Sequence, residues 1–171
     1  MDPPRGRPYG AGVANTLMVS EPAGHASPVP PPGIDLRPIG EPDLAEVGHA
    51  YWRAYRGTPD EMPPAGAAAD VLAAWRGEYG RWLTAGCVAA RAEGQIVGAV
   101  ITVTDAPWPD VPRGPFVTDL FIVPGMRRRG IGRSLVQAAL SGCRTGLGLR
   151  VDDAAPGARA LYDSLGFRPV G

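Results

Sequence analysis

The sequence contains no lysine, and cysteine and histidine are scarce, with two of each among 171 residues. Cys87 and Cys143 are far apart and lack metal-ligand spacing, so we expect two reduced thiols and neither a disulfide framework nor a zinc site. His25 and His49 are too few to favour a histidine-based metal centre or triad, and we expect no metal. All 17 basic residues are arginine, which, with the abundant alanine, glycine and proline, is typical of a high-GC bacterial genome.

Long apolar runs and net charge are also missing. No stretch approaches the roughly eighteen apolar residues of a membrane-spanning helix, and residues 17–19 are too short for the core of a signal peptide. The 17 basic residues balance 17 acidic ones, which argues against a nucleic-acid-binding protein. We therefore expect a cytoplasmic protein with neither nucleic acid nor membrane as partner.

Proline and glycine are concentrated at the N-terminus. Residues 1–33 contain eight prolines and five glycines, a composition that predicts a disordered tail. The chain is 44% hydrophobic, which is enough for one core, so residues 34–171 are predicted to form a single domain.

Hydrophobic periodicity after residue 33 predicts elements in the order β-α-α-β-β-β-α-β-α-β. The strands are expected at 34–38, 87–91, 95–104, 116–123, 147–151 and 167–170, and the helices at 41–55, 68–79, 131–143 and 156–165, with residues 63–66 as a loop.

A basic turn rich in glycine separates the strand ending at 123 from the helix beginning at 131. Such a turn presents free backbone N–H groups and the positive end of the helix dipole, and Gly130 and Gly132 let a ligand approach the backbone. The turn also carries charge from Arg127, Arg128, Arg129 and Arg133. A pyrophosphate is the predicted ligand, and an ordinary loop with solvated arginines is the alternative.

Two motifs narrow the choice of ligand. The turn lacks the glycine patterns of dinucleotide sites and P-loops, but residues 127–132 read Arg-x-x-Gly-x-Gly. About thirty residues later, residues 158–167 read Ala-x-x-Leu-Tyr-x-x-x-Gly-Phe. Together these motifs resemble the coenzyme A loop and final helix of the GCN5-related N-acetyltransferases (the GNAT superfamily). Residues 54–58, followed by acidic residues, and residues 77–80 resemble an actinobacterial subgroup of this superfamily whose substrates are mostly unassigned.

The resemblance implies a mixed α/β fold with a mostly antiparallel sheet, split between its fourth and fifth predicted strands, and helices on both faces. It implies acetyl-CoA as cofactor, with phosphates held by residues 127–133, including Ile131. The backbone of Leu120, Phe121 and Ile122 would bind the pantetheine arm beside a bulge in the central strand. Homodimers are common in the family.

The implied reaction is transfer of an acetyl group to a primary amine. By resemblance, Tyr162 would act as general acid toward the thiolate leaving group. Asp119 would accept the proton of the amine, directly or through water, or would hold a cationic acceptor. A packing tyrosine and a surface or ion-paired carboxylate are the structural alternatives.

Two positions depart from the family pattern. Ala155 stands seven residues before Tyr162, where relatives carry an asparagine that contacts the cofactor and caps the last helix. Alanine is a poor N-cap, and Asp152 or Asp153 are candidate substitutes. Arg150 stands where some relatives place a glutamate.

The acceptor side offers aromatic and acidic residues, a combination that suits a cationic amine. They are Tyr51, Trp52, Tyr55, Asp60, Glu61, Asp105, Trp108 and Asp110. Core aromatics and a solvated acidic loop are the alternative. We expect a small molecule as acceptor in preference to a peptide.

Three functions stay open at this point. The first is an active N-acetyltransferase, and the second is a catalytically silent acyl-CoA-binding or regulatory module, which the substitutions at 150 and 155 favour. The third is an interaction protein that uses the proline-rich residues 28–32 as a polyproline ligand.

Overall fold

A computed structural model describes residues 14–22 and 27–170 of the chain. The helices are α1 (Leu44–Tyr55), α2 (Pro64–Trp75), α3 (Ile131–Gly142) and α4 (Pro156–Ser164). The strands are β1 (Asn15–Ser20), β2 (Ile34–Pro38), β3 (Arg81–Trp82), β4 (Val88–Ala92), β5 (Gln95–Thr104), β6 (Pro115–Ile122), β7 (Gly148–Asp152) and β8 (Phe167–Pro169). Short 3-10 turns precede α1, β4 and α3.

The strands form one sheet in the order β2-β4-β5-β6-β7-β1-β8, with β3 paired to β5. Every pairing is antiparallel except that of β6 with β7. The predicted mixed, mostly antiparallel sheet is thus confirmed, and all ten predicted elements are present.

The sheet splits between β6 and β7. The register of these two parallel strands contains one pair of partners, Phe116 and Gly148. A Cβ atom at Gly148 would lie 3.0 Å from the Phe116 ring, so the strands close up here because residue 148 has no side chain. Beyond this pair the strands diverge and leave the edge of β6 open toward a cleft.

A bulge interrupts β6 next to this opening. Its register with β5 pairs Asp119 with Ile101 and Val117 with Thr102, so Thr118 is the extra residue. The Thr118 hydroxyl lies 3.4 Å from the Ile101 carbonyl oxygen. The bulge re-aims the strand just before residues 120–122.

Helices cover both faces of the sheet, as predicted. The Phe121 ring packs edge-on against Tyr51 of α1, whereas the Ile122 side chain lies 3.3 Å from the Cβ position at Gly132, on α3. Because successive residues of a strand point to opposite faces, α1 and α3 lie on opposite sides of the sheet. The core between these layers includes Val47, Val100 and Leu135.

The prediction of a disordered tail over residues 1–33 is wrong for residues 15–20. These residues form β1, which lies between β7 and β8 and pairs with both. Met18 and Ser20 are buried, and Ser20 Oγ accepts a hydrogen bond from the Leu147 N–H at 3.0 Å. Residues 1–13 and 23–26 lie outside the described part of the chain. We call residues 14–22 and 27–33 the N-terminal segment.

Two smaller differences concern α2 and β3. Helix α2 begins at Pro64, within the predicted loop, because proline is well suited to the first turn of a helix. It ends at Trp75, earlier than expected, and Gly77 follows in a left-handed conformation with φ of 85°. The two-residue strand β3 is too short to leave a periodic signal in the sequence.

Candidate active site: a cleft between two helices

A cleft of about 730 Å³ opens where β6 and β7 diverge. Its floor is the end of β6, and its walls are the first turn of α3 and one face of α4. Nine of the predicted site residues meet at this cleft: Leu120, Phe121, Ile122, Arg127, Arg128, Gly130, Gly132, Arg133 and Tyr162. The other three, Asp119, Arg129 and Ile131, are not among the side chains that line it.

The first turn of α3 has the features of an anion site. Gly130 is the residue before the helix and adopts φ of 83°, which an L-residue with a side chain reaches only under strain. No side chain caps the helix, so its first backbone N–H groups stay available to a ligand. Ile131 is 1% exposed, which leaves its backbone as the part that can serve a ligand.

Gly132 lies where α3, α4 and the end of β6 approach one another closely. A Cβ atom there would lie 3.3 Å from Ile122 Cδ1 and 3.7 Å from Leu161 Cδ2. Floor, α3 and α4 therefore converge at one glycine, and a side chain at this position would have to share its space with both neighbours.

The four arginines of the turn make different contacts. Arg127 donates to two backbone carbonyls, from Nη2 to Ala54 at 2.6 Å and from Nε to Ile122 at 3.0 Å, so it ties the end of α1 to the end of β6. Arg133 donates to Ser164 Oγ of α4 at 2.7 Å, across the cleft.

The remaining two arginines differ in exposure to the cleft. Arg128 adopts φ of 63°, and its Nη1 lies 3.7 Å from the Cβ position at Gly157, at the start of α4. It lines the cleft, whereas Arg129 is exposed outside it. Arg128 and Arg133 are therefore the arginines best placed to face a phosphate.

Tyr162 lies on the cleft wall and is 7% exposed. Its ring packs edge-on against Phe167 at 5.7 Å between centroids. Burial raises the pKa of its phenol to about 12, because the phenolate would be poorly solvated there. At neutral pH Tyr162 thus keeps its phenolic proton, and its side chain lines the cleft.

Asp119 is buried in β6, immediately after the bulge. Since it does not line the cleft, it could reach a bound amine only through an intervening group such as water.

The start of α4 lacks a side-chain cap, as the alanine at 155 predicts. Neither candidate substitute fills this role in the described hydrogen bonds. Asp152 Oδ1 accepts from the Ala154 N–H at 2.8 Å, and Asp153 Oδ1 accepts from Thr16 Oγ1 at 2.6 Å.

The expected acceptor-side residues do not gather at one place. Tyr55 lines the cleft, whereas the Trp108 ring packs near the Tyr79 ring. The Arg56 guanidinium lies over the Trp52 ring, 5.5 Å from its centroid. Glu61 accepts a hydrogen bond from the Gly57 N–H at 2.8 Å.

Arg150 engages the loop that precedes β6. It forms an ion pair with Asp110 and donates to Asn15 Oδ1 at 3.2 Å. Hydrogen bonding from Arg150 lowers the pKa of Asp110. An arginine at this position therefore fixes a loop, which no carboxylate could do in the same way.

Small residues along α4 were missed by the sequence analysis. Ala54 of α1 also lines the cleft, together with Gly157, Ala158, Ala160 and Ser164 of α4. The signal was present, since small side chains on one face of a helix leave room for a ligand. The motif drew attention to the larger residues between them.

Within the described residues, histidine, cysteine and carboxylate side chains nowhere form a group of three suited to a metal ion. The helices in that part of the chain also fall short of the length and apolar character that crossing a membrane requires.

Comparison with solved structures supports the fold assignment. A GCN5-related N-acetyltransferase from Sphaerobacter thermophilus has a TM-score of 0.65 and 18% identity, with 91% of this chain and 48% of that one covered. A second one, from Kribbella flavida, has a TM-score of 0.57 and 20% identity over 92% and 55% of the two chains. This chain thus spans about half the length of these two proteins.

The aminoglycoside N-acetyltransferase AAC(6')-Iy, in complex with CoA, has a TM-score of 0.60 and 17% identity, with 88% of this chain and 93% of that chain covered. At these identities the likeness establishes the fold. No curated protein matches the sequence significantly. The model of the acetyltransferase (GNAT) family matches residues 44–167, which include the split strands, the arginine and glycine turn and α4. The chain therefore belongs to the GNAT acetyltransferase family.

Proposed function

We propose that this protein transfers an acetyl group from acetyl-CoA to a primary amine. The observation that carries the proposal is the cleft itself, in which an uncapped helix N-terminus, an open strand edge and a buried tyrosine line one cavity. In the reaction the amine nitrogen forms a bond with the thioester carbonyl carbon, and the bond from that carbon to sulfur breaks. The sulfur leaves as thiolate, and the amine loses one proton.

The cofactor would lie along the cleft, with its pyrophosphate at the first turn of α3 and its thioester over the end of β6. The backbone N–H groups at Gly130, Ile131 and Gly132 would bind the pyrophosphate, with Arg128 and Arg133 nearest to its charge. Arg129 would add to the attraction from outside the cleft. Arg127 would act mainly by fixing the floor, because two of its donors already serve backbone carbonyls.

The thioester would sit over the end of β6. Leu120, Phe121 and Ile122 offer an open backbone edge there, since β7 has already diverged. Backbone donors on this edge can bond the pantetheine arm and polarise the acetyl carbonyl.

Tyr162 would serve as the donor to the sulfur. With a pKa of about 12, the phenol keeps its proton at neutral pH, whereas a thiol has a pKa near 8.5. Complete transfer from tyrosine to thiolate is therefore uphill, and the main effect would be a hydrogen bond that strengthens as charge develops on sulfur.

Asp119 is proposed as the proton acceptor, acting through water. Asp119 belongs to β6, the strand over whose end the thioester would sit, and it requires the relay because it is buried and does not line the cleft. Asp119→Asn removes the basic site at nearly unchanged volume, and we expect it to lower turnover without weakening acetyl-CoA binding.

The acceptor is proposed to be a small primary amine in preference to a peptide. Tyr55 at the cleft supplies an aromatic face for a cationic substrate. The likeness in fold to an aminoglycoside N-acetyltransferase makes aminoglycosides a reasonable part of any substrate panel. We also propose a cytoplasmic location. Homodimers are common in the family, and sedimentation analysis would test whether this protein is one.

A second candidate is a silent acyl-CoA-binding module. It is favoured by the uncapped start of α4 at Ala155 and by Arg150, which occupies a position where some relatives carry an acid.

One assay separates the two candidates. Release of free thiol from acetyl-CoA would be followed with polyamines, aminoglycosides, amino acids and peptides, beside calorimetric titration of acetyl-CoA alone. Turnover with at least one amine supports the enzyme. Tight binding without turnover across the panel favours the silent module, and absence of binding overturns both.

A further inference from the structure

The N-terminal segment contacts the α4 wall of the cleft at one of its ends. Thr16 Oγ1 donates to Asp153 Oδ1 at 2.6 Å and accepts from Arg159 Nη1 of α4 at 3.4 Å. The Asp153 N–H donates to the Ala14 carbonyl at 3.0 Å. Strand β1 thereby fixes the loop that leads from β7 into the helix carrying Tyr162.

The same segment contacts the α3 wall at its other end. Ser134 Oγ, on a residue that is 1% exposed, donates to the Val29 carbonyl at 3.0 Å and lies 3.2 Å from the Gly130 carbonyl. Pro31 Cγ lies 3.6 Å from the Cβ position at Gly130. Residues 29–31 therefore pack against the turn of α3 that would bind the pyrophosphate.

The sheet alone fixes the separation of these walls poorly. Strands β6 and β7 are partners only at Phe116 and Gly148, at the closed end of the split. Strand β1, in contrast, pairs with β7 along its whole length, from Gly148 to Asp152. The pairing of β1 with β7 and the contacts of residues 29–31 with α3 can therefore restrain the two sides of the open end.

We propose that the N-terminal segment positions the two walls of the coenzyme A cleft and so raises the affinity for the cofactor. This inference depends on the proposed binding of coenzyme A between α3 and α4. Thr16 and Ser134 are the positioning residues, and they act through α4 and α3 without touching the cofactor. Linkage makes the effect reciprocal: if the ordered segment favours binding, bound coenzyme A must favour the ordered segment.

Two substitutions test the positioning role in the full-length protein. Thr16→Val keeps the shape and removes the hydroxyl bonded to Asp153, and Ser134→Ala removes the hydroxyl bonded to Val29. Ser141→Ala is the matched control, because Ser141 Oγ donates to the Gln137 carbonyl four residues earlier in the same helix. Isothermal titration calorimetry of coenzyme A, well below the melting temperature of each variant, gives the affinities.

We expect Thr16→Val and Ser134→Ala each to weaken coenzyme A binding by about threefold to tenfold, the value of one ordinary hydrogen bond. Ser141→Ala should bind as the unsubstituted protein does. In the unsubstituted protein, coenzyme A should slow hydrogen exchange of residues 15–20. Unchanged affinities in both variants, even with lower melting temperatures, would show a merely structural role and overturn the inference.

Failure of the proposed function would look different. If the unsubstituted protein binds no coenzyme A, the location of the cofactor is wrong and both proposals fall. If it binds and Gly130→Glu abolishes binding while the two positioning variants bind normally, only the inference about the N-terminal segment falls.

Discussion

Tyr162 is a phenol that burial keeps protonated on the wall of the cleft. Tyr162→Phe removes the hydroxyl alone, so we expect turnover to fall at least about a hundredfold, as for loss of one hydrogen-bond donor to developing negative charge, with coenzyme A affinity within about twofold. Thiol-release kinetics and calorimetry measure the two effects. Tyr79→Phe is the control, because Tyr79 does not line the cleft. Its hydroxyl donates a hydrogen bond to Asp70 Oδ1 at 2.8 Å. Equal turnover in Tyr162→Phe and the unsubstituted enzyme would remove Tyr162 from the mechanism.

The raised pKa of Tyr162 also predicts a pH dependence. Because the pKa of its phenol is raised to about 12 in the folded protein, Tyr162 keeps its proton at neutral and mildly alkaline pH. Ionisation of Tyr162 should therefore cause no fall in turnover over that pH range. The favourable effect of the protonated phenol on stability is complete below the unfolded pKa near 10 and is lost as pH rises toward 12. Initial rates and circular dichroism across alkaline pH test both statements. A falling limb in kcat centred below pH 10, absent in Tyr162→Phe, would contradict them.

Arg127 is predicted to act on α1 more than on the cofactor. Arg127→Gln removes the bonds to the Ala54 and Ile122 carbonyls, so hydrogen exchange in the last turn of α1 should quicken by about threefold to tenfold. Arg129→Gln removes the same charge from an exposed side chain and should leave that exchange unchanged. Unaltered exchange in Arg127→Gln, together with a large loss of coenzyme A affinity, would identify Arg127 as a direct phosphate ligand.

At the scale of elements, α4 is the helix whose start can be improved. Ala155 precedes it without any side-chain cap, and Ala155→Asn should stabilise the protein by about 1 kcal/mol, because asparagine is a strong N-cap. Ala154→Asn introduces the same side chain one residue earlier and should give no comparable gain. Chemical denaturation measures the free energies of unfolding. A stability gain that is equal in both variants, or absent in both, would show that capping is not what the helix lacks.

Elements defined by local signals were the ones that the sequence predicted well. The β6 strand, the turn and α3 follow one another within 28 residues, from Pro115 to Gly142, and each carries its own pattern of apolar residues and glycines. Strand β1 was missed because the composition of the surrounding 33 residues resembles that of a disordered tail. Its order comes from β7 and β8, which lie more than 120 residues away in sequence.

At the scale of the whole molecule, the sequence predicted the members of the site better than their roles. Nine predicted residues line the cleft, because the end of β6, the turn that leads into α3 and one face of α4 meet there. The different directions taken by Arg127, Arg128 and Arg129 depend on carbonyls and helices from distant parts of the chain. The burial of Asp119 away from the cleft likewise follows from the bulge in β6 and its register with β5.

We propose that the cleft between α3 and α4 binds acetyl-CoA through the first turn of α3. Titration of acetyl-CoA into Gly130→Glu and Gly125→Glu tests it most directly, because both variants add the same charge and bulk to one turn. Gly130 faces the cleft with φ of 83°, whereas no described atom lies within 4 Å of a Cβ placed at Gly125. We expect no measurable binding to Gly130→Glu and nearly normal binding to Gly125→Glu. Normal binding to Gly130→Glu, or equal loss in both variants, would contradict it.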